Sequence, residues 1–130
     1  PYEIEWEYAA RGGQKTRGKK YAGSSDPNNV AWFNIIQEKT REVGTKRSNE
    51  LGIYDMSGNV SEFVQDCKNS EDYWGAPTDG SAWEESNCHI RVIRGGAFYH
   101  SGGTPPDSRE GFVELGWQSV EAGFRLVSDD

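Results

Sequence analysis

The chain of 130 residues is long enough for one domain of ordinary size. Only 34% of it is hydrophobic, yet it holds 16 glycines, five tryptophans, six tyrosines and five phenylalanines. That balance argues against a helical bundle and predicts a loop-rich fold whose core rests on a few large aromatic side chains. Fourteen Lys+Arg against 21 Asp+Glu leave a formal net charge of −7, which argues against nucleic acid and anionic lipid as partners.

In chain order, residues 2–11 predict a helix with Ile4, Trp6 and Tyr8 as its apolar members, and Gly12-Gly13 predicts its stop. A chain that opens inside a helix, with no signal peptide, leads us to expect a longer protein trimmed upstream. Residues 14–20 read as a polar, basic surface loop. Residues 21–33 are rich in turn formers and end in an aromatic cluster. Residues 34–51 carry mixed charge, as an exposed excursion would, and the locally basic run 39–47 reads as a solvated face.

Residues 52–67 combine a tight Ser57-Gly58-Asn59 turn with short apolar patches on either side, and the acidic stretch 68–87 reads as irregular. A β-branched run at 88–94 predicts a strand, Gly95-Gly96 interrupts it, and residues 123–127 predict the last strand. Between these two lies 97–122, which shows no clear periodicity. Long irregular segments inside compact domains are usually functional. No run of about 18 apolar residues is present to insert into a membrane. Cys67 and Cys88 have neither a CxxC partner nor a histidine at zinc spacing. They form one disulfide in an oxidising compartment or remain two buried thiols elsewhere.

Four segments, in order, carry a resemblance: Glu5-Trp6-Glu7-Tyr8-Ala9-Ala10-Arg11-Gly12, then Gly52-Ile53-Tyr54-Asp55-Met56-Ser57-Gly58-Asn59-Val60-Ser61-Glu62-Phe63, then Arg91-Val92-Ile93-Arg94-Gly95-Gly96, and finally Gly123-Phe124-Arg125-Leu126-Val127. Together they resemble the formylglycine-generating-enzyme family. The resemblance implies an α+β fold of the C-type-lectin-like kind with little regular secondary structure. Residues 1–130 would form the C-terminal portion of one such domain, its upstream strands and first helix lying outside this sequence. The family's enzymes use a cysteine pair, with copper, shortly after the Gly-Gly. Here the matching stretch 97–105 holds no sulfur, and His100 and Pro105 stand about where the thiols would be. One histidine does not replace a two-thiolate copper site.

The layout is also similar to another branch of the same scaffold, the variable proteins of diversity-generating retroelements found in spirochaetes. In that branch the segment between Arg-Gly-Gly and Gly-Phe-Arg is rewritten to make a ligand-binding surface. The resemblance implies that 97–122 is such a hypervariable site, with Phe98, Tyr99, His100, Ser101, Thr104, Asp107, Phe112, Glu114, Leu115, Trp117, Ser119 and Val120 as its contact residues. Its mixture of aromatics with small residues is that of a paratope, with Phe98, Tyr99, His100, Phe112, Leu115 and Trp117 facing solvent. The plainer alternative is a core loop whose aromatics point inward.

Asp55, Gly58, Val60 and Glu62 resemble a calcium site of the family, two carboxylates and two backbone carbonyls around a turn. The alternative is that Asp55 and Glu62 cap backbone amides or pair with an arginine. Arg94 and Arg125 are expected to make fixed ion pairs with carboxylates such as Glu5 or Glu62, holding the loop ends in place. His89 is expected to be structural and His100 a contact residue, because no nucleophile with an orienting carboxylate is suggested by the spacing.

The function expected is a non-enzymatic, receptor- or adhesin-like binding protein at a cell surface or outside the cell. It would need no cofactor beyond a structural Ca2+, and its partner would be a protein or surface ligand held by the variable segment. A divergent oxidase or related sulfur-oxidation enzyme, and a structural surface module, are the competing expectations.

Overall fold

A computed structural model describes residues 1–35, 39–68, 72–114 and 119–128, with backbone alone over 110–114. One α-helix, α1 (Glu3–Ala10), is followed by 3-10 turns at Gly13–Lys15 and Pro27–Asn29. Four strands complete the regular structure: β1 (Ser61–Cys67), β2 (Ile90–Arg94), β3 (Arg109–Glu114) and β4 (Ala122–Gly123). They form one sheet in the order β3-β2-β1-β4, antiparallel at β3-β2 and β2-β1 and parallel at β1-β4. Everything else among the described residues is turn or irregular chain.

The predicted helix forms, shortened by one residue at each end, and its caps come from both near and far. The Glu5 carboxylate accepts from the Tyr2 N–H at 2.8 Å, and Asp66 on β1 accepts from the Glu3 N–H at 2.6 Å. Two of the helix's orphan donors are thereby satisfied. At the other end Gly12 takes φ +92°, and the Asn49 side chain donates to the Ala9 and Ala10 carbonyls. The buried face differs from the expected one. Trp6, Ala10 and Glu3 are buried, whereas Ile4 and Tyr8 are more than half exposed.

Trp6, Ala10, Ala22, Met56, Val64 and Val92 make the main core where α1 crosses β1 and β2. Tyr21, Val30 and Ala31 make a second, smaller one. Fewer aromatics take part than composition suggests: Tyr8, Tyr54, Tyr73, Trp74 and Phe124 are all exposed. Polar and ionic contacts supply the rest of the interior. Arg94 is wholly buried and is met by Glu7, Glu3 and the Pro106 carbonyl. Arg109 pairs with Glu3 at 3.1 Å and lies over the Tyr73 ring. Burial pushes the Glu3 carboxyl above the usual value of 4.5 in spite of the attraction of Arg109 and Arg94.

Two strand expectations need correction. The run at 123–127 is not a strand: pairing stops at Gly123, and Phe124, Leu126 and Val127 lie exposed. Conversely, the supposedly irregular 97–122 contains β3, which pairs with β2 along its whole length with a register shift between Val92 and Ile93. A bulge breaks the period-2 signal on which the sequence reading relied. The two cysteines are joined as a disulfide, Cα to Cα 5.7 Å apart, tying the end of β1 to the residue two before β2.

Candidate functional site

The segment after β2 is built outward from a fixed base. Gly96 has φ +73°, and a Cβ there would stand 1.9 Å from Thr104 Oγ1, so only glycine fits where the chain leaves the sheet. Immediately afterwards, four backbone hydrogen bonds tie the loop to two other segments of the chain. The Phe98 N–H donates to the Asn59 carbonyl at 2.8 Å, and the Phe98 carbonyl accepts from the Ile35 N–H at 2.8 Å. The His100 carbonyl accepts from the Asn34 N–H at 2.7 Å, and the Thr104 N–H donates to the Ser57 carbonyl at 3.1 Å. Arg94 holds the exit by donating to the Pro106 and Asp107 carbonyls.

The Ser57-Gly58-Asn59 turn is the anchor of this loop, a role that the sequence reading missed. Ser57 is wholly buried, and its Oγ accepts from the Ala22 N–H. The Asn59 side chain brackets Arg41, accepting from its N–H at 2.9 Å and donating to its carbonyl at 3.1 Å, while Asn59 itself sits at φ +76°. Gly58 is pressed against Trp32, where a Cβ would come 2.5 Å from the carbonyl oxygen. Two polar residues flanking a glycine between short apolar patches, Ser57 and Asn59, were the available signal, since such groups bond to backbone when buried.

The predicted contact residues divide. Tyr99 is 48% exposed and stacks edge-on with His100, and Ser101, Asp107 and Val120 are exposed. His100 and Ser119 are half-buried, and the Ser119 Oγ accepts from the Glu121 N–H. Phe98 and Thr104 are buried, contrary to the expectation of a solvent-facing Phe98. Their side chains fill the space beneath the loop and make them part of the frame. Phe112 and Glu114 are on β3, where only the backbone is described, and Leu115 and Trp117 lie outside the described residues. An open recess of about 430 Å³, lined by His100, Ser101, Gly102, Gly103, Thr104, Pro105 and Ser108, lies in the outer surface of the loop. Gly102, Gly103, Pro105 and Ser108 were not among the expected contacts.

At the base, Glu62 and Arg125 make the ion pair expected of them. Arg125 Nε donates to Glu62 Oε2 at 2.6 Å, its Nη2 to Oε1, and Trp6 Nε1 donates to Oε2 at 2.6 Å. Burial opposes the charge on Arg125, but the bonds and charge of Glu62 outweigh it and raise the pKa of the guanidinium. Arg94 pairs with Glu7 and Glu3 instead of Glu5 or Glu62.

The four residues read as a calcium set do not fit a cation. Both Glu62 oxygens are taken by a guanidinium and an indole N–H, and Asp55 Oδ2 accepts from the Gly44 N–H. Gly58 packs on Trp32, and Val60 is half-buried beside Gly123. Of the carboxylate oxygens in this set, Asp55 Oδ1 is the one buried without a hydrogen-bond partner among the described residues. Among the described residues no group of three or more His, Cys, Asp or Glu is placed to hold a metal. His89 is exposed. Both cysteines of the chain are consumed by the disulfide, so the loop after Gly96 has no thiol within it and none supplied from elsewhere in this sequence.

Comparison with known proteins agrees with this architecture. The solved structure of Treponema denticola variable protein 1 superposes with a TM-score of 0.77 at 31% identity, over 95% of this chain and 45% of that one. Chaperone protein LppX of Paenibacillus barcinonensis is 32% identical over 98% of this chain and 48% of its own length. The formylglycine-generating enzyme of Streptomyces coelicolor is 32% identical over 75% of this chain and 35% of its own length. The chain thus spans less than half the length of either curated relative. The family described as the sulfatase-modifying factor enzyme 1-like domain matches residues 1–130. With the Trp6–Glu62–Arg125 base and the Gly96 exit set out by the sequence motifs, the chain belongs to the sulfatase-modifying factor enzyme 1-like domain family, with a C-type-lectin-like fold similar to that of the Treponema protein.

Proposed function

We propose that this chain is a non-enzymatic ligand-binding module that displays a hypervariable face, residues 97–122, on a fixed lectin-like frame. The observation that carries the reading is the contrast between base and tip. Phe98, Thr104 and the loop backbone are locked to Ser57, Asn59, Asn34 and Ile35, while Tyr99, Ser101, Asp107 and Val120 project into solvent. Substitutions at exposed positions away from packing change stability by only about ±0.5 kcal/mol. Sequence can therefore change at the tips without loss of the fold. The likeness to Treponema denticola variable protein 1 supports the same reading.

The oxidase alternative needs a soft thiolate pair beside the Gly-Gly, and both sulfurs of this chain are bonded to each other at the opposite end of β1 and β2. The disulfide supports a location outside the cytosol, at a cell surface or beyond it. The ligand is a protein or surface molecule that meets the loop.

The test is a library randomised at Tyr99, Ser101, Asp107 and Val120. Members are expected to stay folded, melting close to the parent, while losing the parent's ligand and, in some clones, gaining another. Widespread unfolding in the library would refute the displayed-face reading. Stoichiometric, tight copper binding by the reduced protein would restore the oxidase. Sequencing the gene across many cells adds an independent check, since uniform codons over 97–122 would remove hypervariability.

A further inference from the structure

A second recess, whose lining includes no residue of 97–122, is formed by residues 15–25 and 47–50. It measures about 500 Å³, and four cations line it, Lys15, Arg17, Lys19 and Arg47, against the single carboxylate of Glu50. All four cations are exposed. None forms an ion pair or a side-chain hydrogen bond among the described residues. The arginines elsewhere are engaged: Arg11, Arg94, Arg109 and Arg125 each meet a carboxylate, Arg41 lies over the Trp32 ring, and Arg91 donates to the Gln65 carbonyl. In a chain with a net charge of −7, four unneutralised cations gathered around one hollow are not accounted for by solubility.

The floor of the hollow is rigid. Gly23, at φ +100°, lies so close to the neighbouring strand of chain that a Cβ would come 2.7 Å from the Ser48 carbonyl, and Tyr21 bridges to Ser24 around it. The Ser24 oxygen already accepts from the Asp26 N–H and from Asn29 Nδ2, which leaves its proton to donate. Ser25 and Ser48 add two more hydroxyls to the lining. Converging cations and hydroxyls on a fixed floor are the donors that tetrahedral oxyanions accept, and Arg presents them as a planar fork.

We propose that this hollow binds a compact polyanion carrying two or more sulfate or phosphate groups. The volume is that of an ordinary small-molecule site. No aromatic side chain lines it to stack a base, and no apolar side chain lines it to enter a bilayer, so a small anionic ligand fits better than a nucleic acid or a membrane. The lining of the hollow includes no residue of 97–122, so the proposal does not depend on whether that segment varies.

Calorimetric titration of the intact chain tests this with a fully sulfated heparin disaccharide, with inorganic tripolyphosphate, and with an unsulfated disaccharide as control. Saturable one-to-one binding of a charged probe is expected, weakening as salt rises. It should fall roughly a hundredfold in R17E/R47E, each of the two lost charge-assisted contacts being worth about tenfold. The better probe assigns the ligand as sulfated or phosphorylated. K15Q/K19Q, also at exposed positions, should weaken binding in the same way, so the result does not hang on one variant folding. Tyr99→Ala should bind the probe as the parent does. Neither probe saturating, unchanged affinity in both charge variants, or equal loss in Tyr99→Ala would overturn the proposal. None of these results bears on whether the loop binds its own ligand.

Discussion

Replacing Gly96 by alanine tests whether the base of the loop is the rigid part. The new Cβ would stand 1.9 Å from Thr104 Oγ1, 2.7 Å from Thr104 Cβ and 3.1 Å from His100 Nδ1. Thr104 cannot swing aside freely, because it is buried and its N–H is spent on the Ser57 carbonyl. The left-handed backbone at φ +73° costs an alanine about 1 kcal/mol, and the overpacking about 2 kcal/mol more, for a total of about 3 kcal/mol. For a chain of this length that is a drop of roughly 10 °C in melting temperature. Tyr99→Ala, three residues away, half exposed and packed edge-on against Phe98 and His100, should cost about 1 kcal/mol, well below Gly96→Ala. Thermal and urea unfolding of both variants beside the parent would measure the two numbers. A loss below about 1 kcal/mol in Gly96→Ala, or a larger loss in Tyr99→Ala than in Gly96→Ala, would refute the division into rigid base and tolerant tip.

Three further outcomes follow from the interior. Glu62→Gln strands the Arg125 guanidinium without its countercharge and weakens the bond from Trp6 Nε1. It should cost about 2 kcal/mol in urea unfolding, less than for a fully buried pair because Arg125 keeps some solvent. Removing the disulfide as Cys67→Ala/Cys88→Ala opens a loop of 21 residues and should lower stability by about 3 kcal/mol, with a matching loss when the parent is reduced by dithiothreitol. Glu3 binds its proton more tightly when folded, since burial outweighs Arg109 and Arg94. Its contribution is fully present below 4.5 and is lost as pH rises through the higher folded value. The stability of the parent relative to Glu3→Gln should therefore increase as pH falls from neutrality toward 4.5. A decrease would mean that the two arginines dominate.

Much of the frame was legible because its signals are local or are carried by motifs. The helix announced itself through Trp6 and the Gly12 stop, and β2 through its β-branched run. Arg125 was expected to need a carboxylate such as Glu5 or Glu62 because a charge held inside a domain requires a partner, and Glu62 is the one it meets. Errors arose where tertiary pairing overrode the pattern. Residues 124–127 look like a strand, yet no backbone among the described residues pairs with them as one, and β3 hides behind a bulge. Ile4 and Tyr8 look like core residues, but the orientation of α1 over β1 sends Glu3 inward to the arginines in their place.

The sequence by itself determined the family, the class of fold and the absence of cysteine from 97–105, since each is written in residue types at fixed positions. Only the three-dimensional arrangement decided which groups meet. It turned a presumed calcium set into a carboxylate held by an arginine and an indole, buried Phe98 beneath the loop it was expected to adorn, and gathered Lys15, Arg17, Lys19 and Arg47 from separate segments around one hollow. Contacts across such distances in the chain depend on where backbones cross. That is set by burial and hydrogen-bond satisfaction summed over the whole domain, and no local stretch of residues contains it.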